Sequence, residues 1–207
     1  KADISRERLY KNGEETKVLG VLTGEHPDLA APAFKSLYTT IRNTGMRLRE
    51  AYTLRVNQIN FREGLIMVNG SKGHYGAIKR RPVPILPMVE KTLREAIAGK
   101  QEGDLVFPYW DGDTSDEAHR KTSSYLSALF TRLFTAAKVH DMREHDLRHV
   151  ATVQWVTAKL PDGHYAYSET EILTMMGWSS RTMLDRYIKG WRADDLGSRA
   201  KTIILSV

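Results

Sequence analysis

A chain of 207 residues, 41% hydrophobic and 27% charged, is long enough for one large domain with a substantial core, and its composition is that of a soluble globular protein. It has no apolar run of membrane-spanning length, no signal-peptide pattern and no cysteine, which excludes disulfides, thiolate chemistry and the best zinc ligands. The net charge of +6 favours a polyanionic partner, nucleic acid first, and a reducing intracellular compartment fits the absence of cysteine.

Residues 1–16 are polar and charged and read as a linker or N-terminal extension; the chain starts at Lys1 rather than Met, as an excised fragment would. From Pro32, the residues Phe34, Leu37, Tyr38 and Ile41 recur at helical spacing until Asn43-Thr44-Gly45. A second helix starts there and carries Met46, Leu48, Ala51 and Leu54. Alternation at Gln58–Phe61, the turn Arg62-Glu63-Gly64 and the apolar run Leu65–Val68 read as strands. A glycine-rich loop over Asn69–Gly76 leads to Arg81-Pro82-Val83-Pro84-Ile85, where two prolines disfavour helix. These pieces predict a small three-stranded antiparallel sheet.

Most of the remainder is helical. Pro87 opens a helix through Val89, Leu93, Ala96 and Ile97. Leu105–Phe107 is short and apolar, and residues 108–121 read as loop. Ser123–Ala137 places Leu126, Leu129, Phe130, Leu133 and Phe134 on one helical face, and another helix covers Leu147–Lys159. After a loop, Ser168 and Glu171 form the capping-box pattern of a further helix start. Residues 191–207 form a tail ending in a strand-like Ile203-Ile204-Leu205. The fold class is α+β, mainly α-helical with a small three-stranded antiparallel sheet. His119 and His164 fall in predicted loops and carry no assigned role; Trp155 and Phe130 read as core.

Three segments carry cationic chemistry. Arg47 follows a Thr-Gly turn at a helix start, with Glu50 three residues on; helix N-termini favour anions, and an arginine there strengthens a phosphate site. The bland reading pairs Arg47 or Arg49 with a nearby glutamate. Lys72 lies at a hairpin tip, followed by Lys79, Arg80 and Arg81, a basic run able to enter a DNA groove or simply to face solvent. His145 and Arg148, three apart, share a helix face, where imidazole can shuttle a proton and guanidinium can grip an anion in a fork. His145 and His149 have the spacing of a zinc half-site, but no third and fourth ligand accompanies them, so no metal is expected. Downstream, Trp178 and Tyr187 sit on an amphipathic stretch where packing alone would explain both.

Read in order, Thr44-Gly45-Met46-Arg47-Leu48-Arg49-Glu50, Ser71-Lys72-Gly73, His145-Asp146-Leu147-Arg148-His149, Gly177-Trp178-Ser179-Ser180 and Tyr187 resemble the catalytic domain of the tyrosine recombinases, or phage integrases. The resemblance covers about residues 20–190. It implies the DNA breaking-rejoining fold, with residues 17–190 as catalytic domain and 191–207 as a tail that packs onto a neighbouring subunit. It departs from the family at Trp178, where most members have His, and in a longer hairpin that leaves Lys72 and Lys79 as two candidates for the general acid. By the resemblance, the sequence reads as an isolated catalytic domain without the family's N-terminal helical DNA-clamping domain.

The reaction so implied is site-specific DNA recombination, including integration of a viral or other mobile element, by transesterification without metal, ATP or cofactor. Tyr187 attacks a phosphodiester, forms a 3′-phosphotyrosyl link and expels a 5′-hydroxyl. Arg47 and Arg148 hold the non-bridging oxygens, where fixed cations stabilise the transition state above the ground state. A free tyrosine of pKa about 10 is only about 0.1% ionised at pH 7, so cations nearby and His145 as proton acceptor assist it. The hairpin lysine protonates the leaving group, Trp178 packs beside the site, and Glu50 and His149 support it. Lys79, Arg80 and Arg81 are DNA contacts. The partners implied are double-stranded DNA, a homotetramer on DNA that can be monomeric when free, and accessory DNA-bending proteins, with no membrane, in a bacterial cytoplasm or nucleoid. Type IB topoisomerases and telomere resolvases share this chemistry, and a non-catalytic DNA-binding module is the alternative from another class.

Overall fold

The first helix is one that the polar composition around it conceals. In the computed structural model, which describes residues 8–72 and 78–188, α1 spans Glu14–Thr23 and buries Val18, Val21 and Leu22. Leu9 and Tyr10 pack on the core ahead of it, the Tyr10 and Tyr38 hydroxyls lie 2.9 Å apart, and Arg8 pairs with Glu14 at 2.8 Å. The described part of the expected linker over residues 1–16 is therefore packed structure, and a domain start at residue 17 falls inside α1.

Helix α2 (Pro32–Thr44) begins on a proline, whose missing N–H has no intrahelical partner to lose there, and buries Phe34, Leu37, Tyr38 and Ile41 as the spacing predicts. It stops at Gly45, whose φ of 65° is left-handed and whose N–H returns to the Ile41 carbonyl. The second predicted helix is only α3 (Leu48–Tyr52), followed by a 3-10 turn at Val56–Gln58.

The sheet is three-stranded and antiparallel in the order β1 (Ile59–Asn60), β2 (Leu65–Lys72), β3 (Ile78–Pro84). Ile66 pairs with Val83 and Val68 with Arg81, and all four side chains are buried, whereas Met67, one residue out of phase, is exposed. The β2–β3 register shifts between Asn69 and Lys72. Gly70 sits in that irregularity, and a Cβ there would stand 2.8 Å from the Lys79 carbonyl oxygen. Backbone cannot yield as a flexible side chain does. Gly70→Ala is accordingly expected to lower the unfolding free energy by about 1–3 kcal/mol, read as a drop in urea midpoint at unchanged slope.

Helix α4 (Pro87–Ile97) again starts on a proline and buries Val89 and Leu93. Helix α5 (Asp116–Ala136) begins seven residues before the predicted Ser123, because the Ser115 hydroxyl caps the Ala118 N–H at 3.2 Å and Asp116 and Glu117 occupy the first turn. Part of the predicted loop over residues 108–121 is thus helical. His119 lies on a helix, buried, with its Nδ1 3.0 Å from the Tyr52 hydroxyl. Helix α6 spans Asp146–Thr157.

The chain divides into two compact units, residues 1–151 and 152–207. The described part of the second contains the end of α6, helix α7 (Glu169–Met176) and a helical stretch over residues 181–188. Ser168 and Glu171 form the expected capping box, with the Ser168 N–H donating to the Glu171 carboxylate at 2.7 Å. Trp155 is core, as read, and meets Tyr167 edge-on with centroids 5.1 Å apart. No helix among the described residues is long and apolar enough to cross a membrane. The proposed docking tail at residues 191–207 lies outside the described residues.

Candidate active site

Glu50 organises the first half of the site. It is buried on α3, and each carboxylate oxygen has work: Oε1 accepts from Arg47 Nη1 at 3.0 Å, while Oε2 accepts from the Arg47 backbone N–H at 2.7 Å and from Arg81 Nη2 at 2.6 Å. The anion expected at this helix start is the protein's own carboxylate. Arg47, at the N-cap of α3, keeps 43% of its side chain exposed, whereas the Arg81 and Glu50 side chains are 4% and 6% exposed. Arg81, expected to contact DNA, is instead enclosed against Glu50, whereas its neighbours Lys79 and Arg80 are exposed. Burial pushes its guanidinium below the usual arginine range, against the pull of Glu50 in the other direction.

The second half comes from the start of α6. The Asp146 carboxylate accepts the Arg143 N–H at 2.8 Å, and Ser127 of α5 donates to Glu144 at 3.0 Å, which together hold the turn that carries His145. His145 is exposed just ahead of the helix, and its ring meets that of His149 edge-on at 5.7 Å. Arg148 is buried rather than displayed beside His145, and its Nη1 donates to the Gly45 carbonyl. That bond crosses 103 positions of chain and fixes Arg148 to the α2–α3 joint, two residues from Arg47. Arg148 is thus tied to the backbone two residues before Arg47, the arginine with which it is expected to act.

The hairpin lysines differ in what can be said of them. Lys72 is the last residue of β2, paired in register with Ile78, next to residues 73–77, which lie outside the described part. Lys79 is exposed on β3. In the second unit, α7 ends at Gly177 and the Trp178 backbone N–H returns to the Leu173 carbonyl at 2.9 Å. Trp178 and Tyr187 stack with centroids 5.8 Å apart and an interplanar angle of 14°, and Tyr187 is 5% exposed.

Arg47 opens onto a cleft of about 610 Å³ that is also lined by Arg49, Arg55, Asn69 and Trp110. Arg55 and Trp110 were not singled out in the sequence, where Arg55 offers no motif and Trp110 lies in an acidic loop. His119 also lines the cleft and stacks on Trp110 at 5.0 Å, and burial, with Arg49 nearby, holds it below the ordinary histidine range. Among the described residues, no group of three or more His, Asp or Glu side chains converges as a metal cluster would.

Residues 30–191 match the phage integrase family. The chain is 31% identical over 141 residues to the tyrosine recombinase XerD of Pseudomonas aeruginosa, an alignment covering 63% of this chain and 45% of that protein. Among solved structures, the chain is similar to XerA recombinase (17% identity, TM-score 0.61, 88% of this chain and 60% of that one). It is also similar to XerH site-specific recombinase bound to its difH substrate (20%, 0.62, 88% and 50%) and to the catalytic domain of bacteriophage HP1 integrase (19%, 0.54, 87% and 86%). The chain spans about half the length of the curated relative that it matches. The fold is that of these catalytic domains, and with the family match running through most of its length, the chain belongs to the phage integrase family.

Proposed function

We propose that the protein is the catalytic part of a site-specific DNA recombinase, an integrase that cuts and rejoins duplex DNA through a 3′-phosphotyrosyl bond to Tyr187. The observation that carries the reading is the junction at Gly45, where Arg148 is tied by its bond to the carbonyl while Arg47 stands two residues on with its side chain 43% exposed. Two guanidiniums acting on one phosphate suit the extra negative charge of a pentacoordinate phosphorane, because their fork geometry matches paired phosphate oxygens.

In the cleavage step the Tyr187 oxygen forms a bond to phosphorus as the bond from phosphorus to the 5′-oxygen breaks. The phenol proton passes to His145, and the departing 5′-oxygen takes a proton from Lys72 or Lys79. Rejoining runs the same exchange with a 5′-hydroxyl of the partner strand, so bond energy is conserved without ATP. Glu50 and His149 support the cations, and Lys79 and Arg80 contact the DNA backbone. The stacked Trp178 holds the Tyr187 ring, so packing and reaction are two uses of one arrangement. Double-stranded DNA is the partner, bound as a homotetramer with accessory DNA-bending proteins, in the bacterial cytoplasm or nucleoid.

A pool of duplexes with randomised cores, each nicked beside the cleavage point, traps such an intermediate, because the short 5′-hydroxyl strand diffuses away. The expected result is a denaturant-stable protein–DNA adduct whose nucleotide maps by mass spectrometry to the peptide containing Tyr187. Arg148→Ala is expected to slow adduct formation by about 10²–10³-fold, the usual loss for one transition-state donor. Binding of the pool with no adduct from any member would favour a non-catalytic DNA-binding module.

A further inference from the structure

We infer that Arg81 is a positioning residue for strand cleavage: from beneath the hairpin it holds Arg47 through Glu50, and so couples the β2–β3 strands to the arginine set for the phosphate. This rests on the reading of Arg47 as a phosphate ligand. Glu50 stands between one inaccessible guanidinium and one accessible guanidinium, with side-chain exposures of 4% for Arg81 and 43% for Arg47. The Arg81 guanidinium is engaged by the Glu50 carboxylate at 2.6 Å in a pair enclosed on both sides. Stability is not a sufficient reason for it, since a buried ion pair is often no better than apolar packing of the same volume.

Its effect on Arg47 is direct. One carboxylate and two guanidiniums leave one net positive charge in the cluster; without Arg81 the Arg47–Glu50 pair is neutral. Glu50 Oε2, released from Arg81, would compete with a phosphate for Arg47. Arg81 also sets where the carboxylate lies, because its place on β3 is fixed by pairing with Val68. The same strand comes close at Gly70, the residue whose absent side chain lets the Lys79 backbone approach and which stands 3.9 Å, measured from its ideal Cβ, from Glu50 Oε1. The strands that lead to Lys72 and Lys79 are thereby referenced to the same carboxylate as Arg47. A lysine would bring charge but not the planar fork.

The test is a double-mutant cycle on the adduct-forming rate at saturating nicked DNA. Arg81→Met and Arg81→Lys are each made in the native chain and in Arg47→Ala, with DNA affinity measured in parallel. Displacing Arg47 by an ångström or so is expected to cost about 10²-fold in rate for Arg81→Met, with affinity unchanged, and less for Arg81→Lys. In the Arg47→Ala background, neither substitution should slow the reaction further. Equal losses in both backgrounds would mean that Arg81 acts independently of Arg47 and would overturn the inference. If Arg81→Met does not fold, the pair Arg81→Met with Glu50→Gln removes both buried charges and is held to the same two outcomes. Adduct from the native chain with Arg81 variants at the native rate refutes this inference alone. Absence of adduct from the native chain refutes the recombinase reading and this inference with it.

Discussion

Tyr187→Phe is expected to abolish the covalent adduct while leaving the fold and DNA binding in place. The substitution removes one oxygen and keeps the ring that stacks on Trp178 at 5.8 Å, so packing in the second unit is retained. The stability change should stay within about 1 kcal/mol, the net worth of a typical hydroxyl hydrogen bond. The rate should fall to background, a loss on the order of 10⁶-fold as for other enzymes deprived of their nucleophile. Phenylalanine has no atom that can bond to phosphorus, so no repositioning rescues it. An adduct that persists in this variant would move the nucleophile to another residue and sink the assignment. An adduct lost together with the thermal transition would instead assign the hydroxyl to holding the fold. The pair of readouts therefore separates the two roles that a buried, stacked tyrosine can play.

Glu50→Ala carries the largest expected stability effect. It leaves the Arg81 guanidinium buried without its carboxylate, and breaking a buried pair from one side typically costs about 3–5 kcal/mol. With both partners below a tenth exposed, solvent screening gives little relief. The loss also uncaps the Arg47 N–H at the start of α3. Urea unfolding followed by circular dichroism reads the change. Combining Glu50→Ala with Arg81→Met should recover most of the stability, because the charge left unpaired is gone, but should not restore strand cleavage. A loss below about 1 kcal/mol for Glu50→Ala, the range of an exposed pair, would mean that the cluster opens to water in solution.

Much of the architecture was legible because it rests on local rules. Phe34, Leu37, Tyr38 and Ile41 repeat at helical spacing and are buried on α2, prolines start α2 and α4, and Ser168 with Glu171 caps α7. The antiparallel sheet followed from turn residues between short apolar runs. Helix α1 was hidden because Glu14, Glu15, Lys17 and Gly20 surround its few apolar residues, and its helical state depends on Val18, Val21 and Leu22 finding a core supplied by the rest of the chain. The early start of α5 was signalled by Ser115 followed by two acids, a cap that the polar loop around it obscured.

The sequence by itself determined the family, through the order of its motif residues: Arg47, a hairpin lysine, His145 with Arg148, Trp178 and Tyr187. It also held one unread signal about Arg81, which lies in phase with buried Val83 on a period-two strand. What only the tertiary structure decided is which cation is reachable and which is structural. Arg47 and Arg81 carry the same guanidinium, yet one is half-exposed and the other is enclosed against a carboxylate 31 positions away. Arg148 is oriented by a carbonyl 103 positions away. Spacing along the chain sets local geometry; exposure and the electrostatic partner of a charge are set by residues that meet only on folding.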